Sequence, residues 1–231
     1  CHLTKLTGAD AGSRKTINQS RRSQTQLKQE ACIMKILAIC GGMRQDSNTN
    51  KLVKKVAGAT GFEHEIADFG KLEVKPCTGC SECMMNEGKC PIEDDMQGLY
   101  DKLLEADAII LGSPTYFMNM SGAVKCFIDR SLALFYRGIG PLYDPDMPFM
   151  GQRPLAGKFG VVVTTVAGAG HEKAIEELAL CMGGSHRMNL VDKIAEAIAM
   201  NDVDDMPEVI KRAEAAGKKL GDALRKKYGG R

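Results

Sequence analysis

Residues 34–52 read MKILAICGGMRQDSNTNKL. The apolar run 35–40 (KILAIC) is closed by Gly41-Gly42. Such a short run, bounded by glycines, reads as a buried parallel strand. Residues 49–59 (TNKLVKKVAGA) follow as a helix. Strand, glycine turn, helix is the opening of an α/β unit, and the pattern repeats downstream. Residues 62–69 (FEHEIADF) alternate and predict a second strand nearer an edge. Residues 94–105 predict a helix, with Asp94 and Asp95 suited to its positive end. Residues 107–112 predict a third strand, 121–136 a helix opened by Ser121, and 158–165 a fourth strand. A helix over 171–183, a fifth strand within 189–199 and a helix over 205–228 complete the series, Pro207 standing in the last helix's first turn. Five β/α alternations with apolar central strands predict a doubly wound five-stranded parallel sheet, with a cysteine-rich loop inserted after the second strand.

Composition supports one such domain. Hydrophobic residues make up 44% of the 231 and charged residues 26%, an ordinary globular balance. Trp is absent and aromatics are 5%, so stacking on a planar ligand falls to a few Tyr and Phe. No apolar run approaches the ~18–20 residues of a membrane span.

Residues 1–33 differ from the rest: six basic side chains against two acidic ones give them +4 of the chain's net +2. The remaining 198 residues therefore carry −2, and nothing there resembles a nucleic-acid footprint. The stretch has no strand or helical period and no apolar h-region. It is expected to be a disordered tail or a non-native extension, with a transit peptide as the alternative. The domain is then residues 34–231, with residues 137–154 as a Pro/Gly-rich loop.

Nine cysteines, an odd and unevenly spaced set, argue against a secreted disulfide framework and for a reducing cytoplasm. Four lie within 14 residues: Cys77-TG-Cys80-SE-Cys83-MMNEGK-Cys90-Pro91. Thiolates are the ligands of iron–sulfur clusters, and the ferredoxin run shares the C-x2-C-x2-C opening and the closing Cys-Pro. Here the last gap is six, which lets the fourth cysteine return to the same cluster. Structural zinc is the main alternative, although zinc sites favour two separated C-x2-C knuckles. A disulfide or an inert cluster of thiols are the others.

Three strand ends carry the remaining chemistry. Residues 41–52 (GGMRQDSNTNKL) match neither G-x-x-x-x-G-K-[ST] nor G-x-G-x-x-G. Instead Ser47, Asn48 and Thr49 meet a helix N-terminus, with Arg44 beside them. That combination suits one phosphate monoester; simple helix capping by Ser47 or Asn48 is the plainer alternative. In residues 112–119 (GSPTYFMN), Ser113, Pro114 and Thr115 read as a turn, and Tyr116 and Phe117 as cover for an aromatic face. In residues 164–172 (TTVAGAGHE), Gly168 and Gly170 allow close backbone approach.

These motifs together resemble the iron–sulfur flavoproteins, a branch of the NADPH-dependent FMN reductase-like group in the flavodoxin superfamily. The resemblance rests on the GGMRQDSNT loop, on C-x2-C-x2-C-x6-C with Glu93-Asp94-Asp95, and on GSPTYFMNMSG. It covers residues 34 to about 200. It implies a flavodoxin-like fold, FMN, and a 4Fe–4S cluster on Cys77, Cys80, Cys83 and Cys90. By the same resemblance Arg44, Ser47, Asn48 and Thr49 are phosphate-site residues. Pro114, Thr115, Tyr116, Phe117 and Asn119 are flavin-loop residues, with Thr165 and Gly168 on the third loop. It also implies a homodimer or homotetramer with each cluster near a neighbouring subunit's flavin. Two departures stand out: the usual Gly-Ser-Pro-Arg is Gly41-Gly42-Met43-Arg44, and the third loop has Ala167 and Ala169 in places where glycine is usual.

The expected activity is that of a cytoplasmic FMN-dependent oxidoreductase passing electrons between cluster and FMN to a small acceptor, with a ferredoxin-like protein or NAD(P)H as donor. An NAD(P)H-dependent FMN or quinone reductase with structural or inert cysteines is the second reading. A non-catalytic FMN-binding or metal-sensing module is the third. No acid or base is required, and none is nominated.

Overall fold

The computed structural model describes residues 34–137 and 152–229. The expectations for residues 1–33, and for most of the Pro/Gly-rich loop, lie outside the described residues.

The first strand, β1 (Ile36–Cys40), is buried along its whole length. Its side chains alternate between two faces. Leu37 and Ile39 enter one core with residues of the helices α3 (Met96–Glu105), α4 (Gly122–Arg130) and α5 (His171–Ala179). Ile36, Ala38 and Cys40 enter the other with α1 (Asn48–Gly58) and α6 (Pro207–Tyr228). The result is three layers, helices covering both faces of the sheet. That explains why the central strands read as continuous apolar runs.

The remaining strands are β2 (His64–Asp68), β3 (Ala108–Tyr116), β4 (Asn119–Met120), β5 (Phe159–Val166) and β6 (Asn189–Ala197). The sheet order is β2-β1-β3-β5-β6, with β4 paired to β3. The five-strand path is parallel throughout, and β4 is antiparallel. Without β4 this is the 2-1-3-4-5 winding of flavodoxin-type sheets, in which the direction of strand addition reverses between β1 and β3. β2 is an edge strand, with His64, Glu65 and Ile66 exposed.

Several boundaries depart from the sequence expectations. The third strand does not stop at Gly112. Ser113 and Pro114 continue the ladder opposite Thr164 and Thr165, and β3 runs on to Tyr116. Proline is tolerated there because β1 ends opposite Gly112. The Gly112 carbonyl faces β1, accepting from the Gly41 N–H. Pro114, two residues on, faces the same side, where no strand needs its missing N–H. So the expected Ser113-Pro114-Thr115 turn is strand, and the turn falls at Phe117-Met118 and leads into the unpredicted β4. The helix expected over 121–136 is α4 followed by a 3-10 segment, Ser131–Tyr136. The one expected over 171–183 is α5 followed by a π turn, Leu180–Ser185. A four-residue helix, α2 (Glu82–Met85), lies inside the cysteine loop.

Candidate functional site

The carboxyl ends of β1, β3, β5 and β6 border one open cleft of ≈ 920 Å³. That is the size range of cofactor pockets, and it lies at the topological switch point, where ligands of open α/β sheets bind.

The β1–α1 loop is held by Asn50, which sequence reasoning passed over. Its side-chain amide accepts from the Gly42 N–H at 2.9 Å and donates to the Gly42 carbonyl at 2.8 Å. A Cβ on Gly42 would lie 1.9 Å from Ser47 Oγ and 2.6 Å from its Cβ, so a larger residue there has to displace the Ser47 side chain. Ser47 is the N-cap of α1, its hydroxyl accepting from the Asn50 N–H at 3.4 Å. Asn48 donates to the Asn201 carbonyl at 3.0 Å and accepts from the Val203 N–H at 3.1 Å. Lys51 adds an ion pair to Asp202 at 2.5 Å. The loop after β6 is thus fastened to the start of α1, which brings Ile198–Asp202 into the cleft wall.

Where α1 meets the strand ends, and between neighbouring strand ends, the hydroxyls pair. Thr49 Oγ1 meets Thr165 Oγ1 at 2.7 Å, and Thr115 Oγ1 meets Thr164 Oγ1 at 2.8 Å. Tyr116 is half exposed and Phe117 fully so, at the lip. Phe117 and Met118 both have positive φ, 46° and 69°. Ten of the eleven residues assigned to this site from sequence line the cleft: Arg44, Ser47, Asn48, Thr49, Pro114, Thr115, Tyr116, Phe117, Thr165 and Gly168. Asn119 is not among the lining; its side chain accepts from the Met120 N–H at 2.7 Å.

The cysteine loop lies between β2 and α3. Cys77, Cys80, Cys83 and Cys90 all line a second, small cavity of ≈ 60 Å³ together with Arg130. Burial pushes the Cys83 thiol above its ordinary pKa, and Cys90, Cys77 and Cys80 push it further. Among the described residues no group of three or more His, Cys, Asp or Glu side chains closes to ion-binding geometry. Cys40, by contrast, is a core thiol that burial pushes up to about 11.

The loop is irregular and steeply turned. Gly79, Ser81, Glu87 and Gly88 all have positive φ. At Gly88 (φ 74°) a Cβ would stand 2.5 Å from the Ala133 carbonyl oxygen, so the six-residue gap before Cys90 packs backbone against the 3-10 segment. Asp94 and Asp95, expected at the start of α3, divide the work. Asp95 accepts from the Glu73 N–H at 2.8 Å. Asp94 accepts from the N–H groups of Lys75 and Met96 and faces Arg130, both side chains wholly buried. Burial alone raises the Asp94 carboxyl; Arg130 and the backbone donors outweigh it and hold the group below the usual carboxylate range.

A family model described as NADPH-dependent FMN reductase matches residues 34–201. A relative from Archaeoglobus fulgidus named iron–sulfur flavoprotein is 32% identical over 203 residues, covering 84% of this chain and 82% of its own length. The chain belongs to the iron–sulfur flavoproteins of the NADPH-dependent FMN reductase family. A second iron–sulfur flavoprotein, from Methanocaldococcus jannaschii, is 43% identical over 104 residues, and the match spans 44% of this chain and 53% of that relative. Among solved structures, a flavone reductase superposes with a TM-score of 0.62 at 20% identity, covering 83% of this chain and 63% of its own. That likeness is one of fold.

The cleft residues fit the family's FMN. An anion placed at the start of α1 would meet a helix N-terminus, and Arg44 lines the same cleft. The strand-end hydroxyls, the backbone of residues 165–169 and the exposed Tyr116 offer a planar ring a polar edge and an apolar cover. The donor set of the second cavity, four thiols and a buried guanidinium, fits an anionic iron–sulfur group. In this flavoprotein three contributors went unread in the sequence: Asn50, the 198–202 segment and Arg130. Asn50 reads as a helix residue and Arg130 as a charged helix end. Only the fold shows what each faces. No described helix is long and apolar enough to cross a membrane.

Proposed function

We propose that this protein is an FMN-dependent oxidoreductase that passes electrons between a 4Fe–4S cluster and FMN to a small acceptor. The observation that carries the reading is the convergence of all four motif cysteines on one cavity. Cys77, Cys80, Cys83 and Cys90 are assigned as the cluster ligands, and Arg44, Ser47 and the start of α1 as the phosphate end of the FMN site. FMN supplies a two-electron carrier and the cluster a one-electron carrier. The chain's own residues orient and enclose. Asn50 fixes the turn beside the phosphate end, and Thr115 and Thr165 offer hydroxyls at the strand ends. Tyr116 and Phe117 shield a ring face from water. A homodimer or homotetramer, and a ferredoxin-like or NAD(P)H donor, belong to the same proposal.

Anaerobically purified protein is expected to contain FMN with about four iron and four sulfide per chain. Flavin absorbance without iron or sulfide overturns the cluster.

One observation favours a second reading, an NAD(P)H-dependent FMN or quinone reductase with structural cysteines. Cys77 and Cys80 are exposed. Serine at all four cysteines discriminates: NAD(P)H-driven quinone reduction at the wild-type rate supports this reading and sinks the first.

A further inference from the structure

Arg130 ends α4 far from the cysteines in sequence, yet it lines their cavity. Its guanidinium has five N–H donors in a fixed fork. Nη1 donates to the Lys75 carbonyl at 3.1 Å and to Asp94 Oδ2 at 2.6 Å. Nη2 donates to the Ile92 carbonyl at 3.2 Å and to Asp94 Oδ1 at 3.0 Å. Lys75 stands two residues before Cys77, and Ile92 two after Cys90. One side chain therefore grips both ends of the loop. The Tyr100 hydroxyl donates to the Arg130 backbone carbonyl at 2.9 Å, which anchors the helix end that carries the fork.

The fifth donor, Nε–H, is buried and has no partner among the described residues. Leaving such a donor unsatisfied costs about 1–3 kcal/mol. The ion pair itself is a poor source of stability, since desolvating two charges offsets their attraction and an apolar pair of similar volume often does as well. An apolar pair, however, has no donors for the two loop carbonyls.

We propose that Arg130 is the positioning residue of the cysteine loop: it clamps both loop ends in advance of cofactor loading, and its spare Nε–H donates to a sulfur of the bound cluster. The proposal rests on the cluster reading above. Donation to sulfur favours the more negative, reduced state of the cluster and so raises its potential. Gln97 reinforces the carboxyl end of the loop, its amide donating to the carbonyls of Cys90 and Ile92 at 2.9 and 2.8 Å.

The test uses the full chain in two variants. Arg130→Lys keeps the charge and loses the fork. Arg130→Met combined with Asp94→Asn removes both buried charges, so that neither is left unpaired. Amide hydrogen exchange is read on chelator-treated, cluster-free protein. Exchange over residues 76–91 is expected to quicken about tenfold in both, the equivalent of one lost hydrogen bond of about 1.4 kcal/mol, while β1 and β3 keep wild-type protection. Unchanged exchange over 76–91 in folded variants overturns the clamp. In loaded protein the cluster potential of the double variant is expected to move negative, and an unchanged potential overturns the sulfur donation. Wild-type protein without iron or sulfide fails the cluster reading instead, and the exchange experiment still decides the clamp.

Discussion

The cleft and the cysteine cavity are built by opposite means. The cleft is made of strand ends and one helix N-terminus, on elements whose side chains are almost all buried. Its precision comes from the sheet. The cysteine cavity is made of a loop with one four-residue helix, four left-handed residues and a buried ion pair. Its precision has to come from local rivets. Regular elements hold a site through many weak contacts, so single changes there cost little. An irregular loop concentrates the holding in a few groups, and each of those is expensive to lose. The two halves should therefore fail separately and by different amounts.

The largest effect is expected at Asp94. Asp94→Ala leaves Arg130 buried without a counter-charge, which costs about 3–5 kcal/mol. The urea midpoint should fall accordingly, and iron should be lost ahead of FMN. Equal loss of both cofactors at every urea concentration would show that the two halves are one unit.

Gly88→Ala comes next. It combines a left-handed backbone with a Cβ 2.5 Å from a carbonyl oxygen, together about 3–4 kcal/mol against seating the loop. Gly79→Ala is the control: φ is 69°, but nothing lies within 4 Å of its Cβ, and about 1–2 kcal/mol is expected. Iron content after desalting, at constant FMN content, reads both. Equal losses in the two variants would mean that the packing against Ala133 does not matter.

Acid should also act on the cysteine side. His186 sits edge-on to Phe135, ring centroids 4.9 Å apart, and its Nε2 meets Ser131 Oγ at 2.9 Å. Burial, with Arg153 adding to it, pushes its pKa down to about 4. Between pH 6.5 and about 4 the unfolded chain therefore binds a proton that the native chain refuses. Stability falls as pH is lowered through that window, by up to about 3 kcal/mol, and levels off for this group below it. Urea midpoints across that range should lose about one proton's worth of slope in His186→Gln. A wild-type slope in that variant would assign the acid sensitivity to other groups.

The same contrast governs what the sequence makes legible. β1 and the Gly41-Gly42 turn are plain from the apolar run, because a strand covered on both faces has no alternative composition. The cleft is legible to the same degree, since ligand residues follow from strand ends. Ser113 to Thr115 mislead because their composition is that of a turn, while the ladder with β5 continues through Ser113 and Pro114 and Thr115 pairs with Met120 of β4. Thr49 and Asn48 read as ligand groups, yet their side chains have partners within the chain, Thr165 for one and the 201–203 backbone for the other. The cysteines announce themselves through spacing. What holds them does not, because Arg130 and Asp94 are 36 residues apart and meet only when α4 packs beside α3. Gly88 has a faint signal, a glycine in the gap before the last cysteine.

A smaller effect is expected on the cleft side from Asn48→Ala. It removes the two side-chain hydrogen bonds that tie residues 201 and 203 to the start of α1, leaving the Lys51–Asp202 ion pair, at a cost of about 1–2 kcal/mol. FMN binding, followed by recovery of flavin fluorescence on dilution, should weaken about tenfold while iron content holds. Unchanged affinity would mean that the 199–203 segment stands clear of the flavin.

The smallest effect should be a gain. A two-residue hairpin with both residues at positive φ strongly prefers Asn-Gly, and here the pair is Phe117-Met118. Each left-handed side chain costs roughly 1 kcal/mol. Phe117→Asn with Met118→Gly should therefore raise the stability of flavin-free protein by about 1–2 kcal/mol, the only change considered that helps the fold. The same pair forms the apolar lip of the cleft, with Phe117 fully exposed. If the strain is kept for the sake of the ligand, FMN affinity must fall in that variant while stability rises. If both rise together, the lip has no part in binding, and the cleft would owe its flavin wholly to the strand ends and the α1 N-terminus.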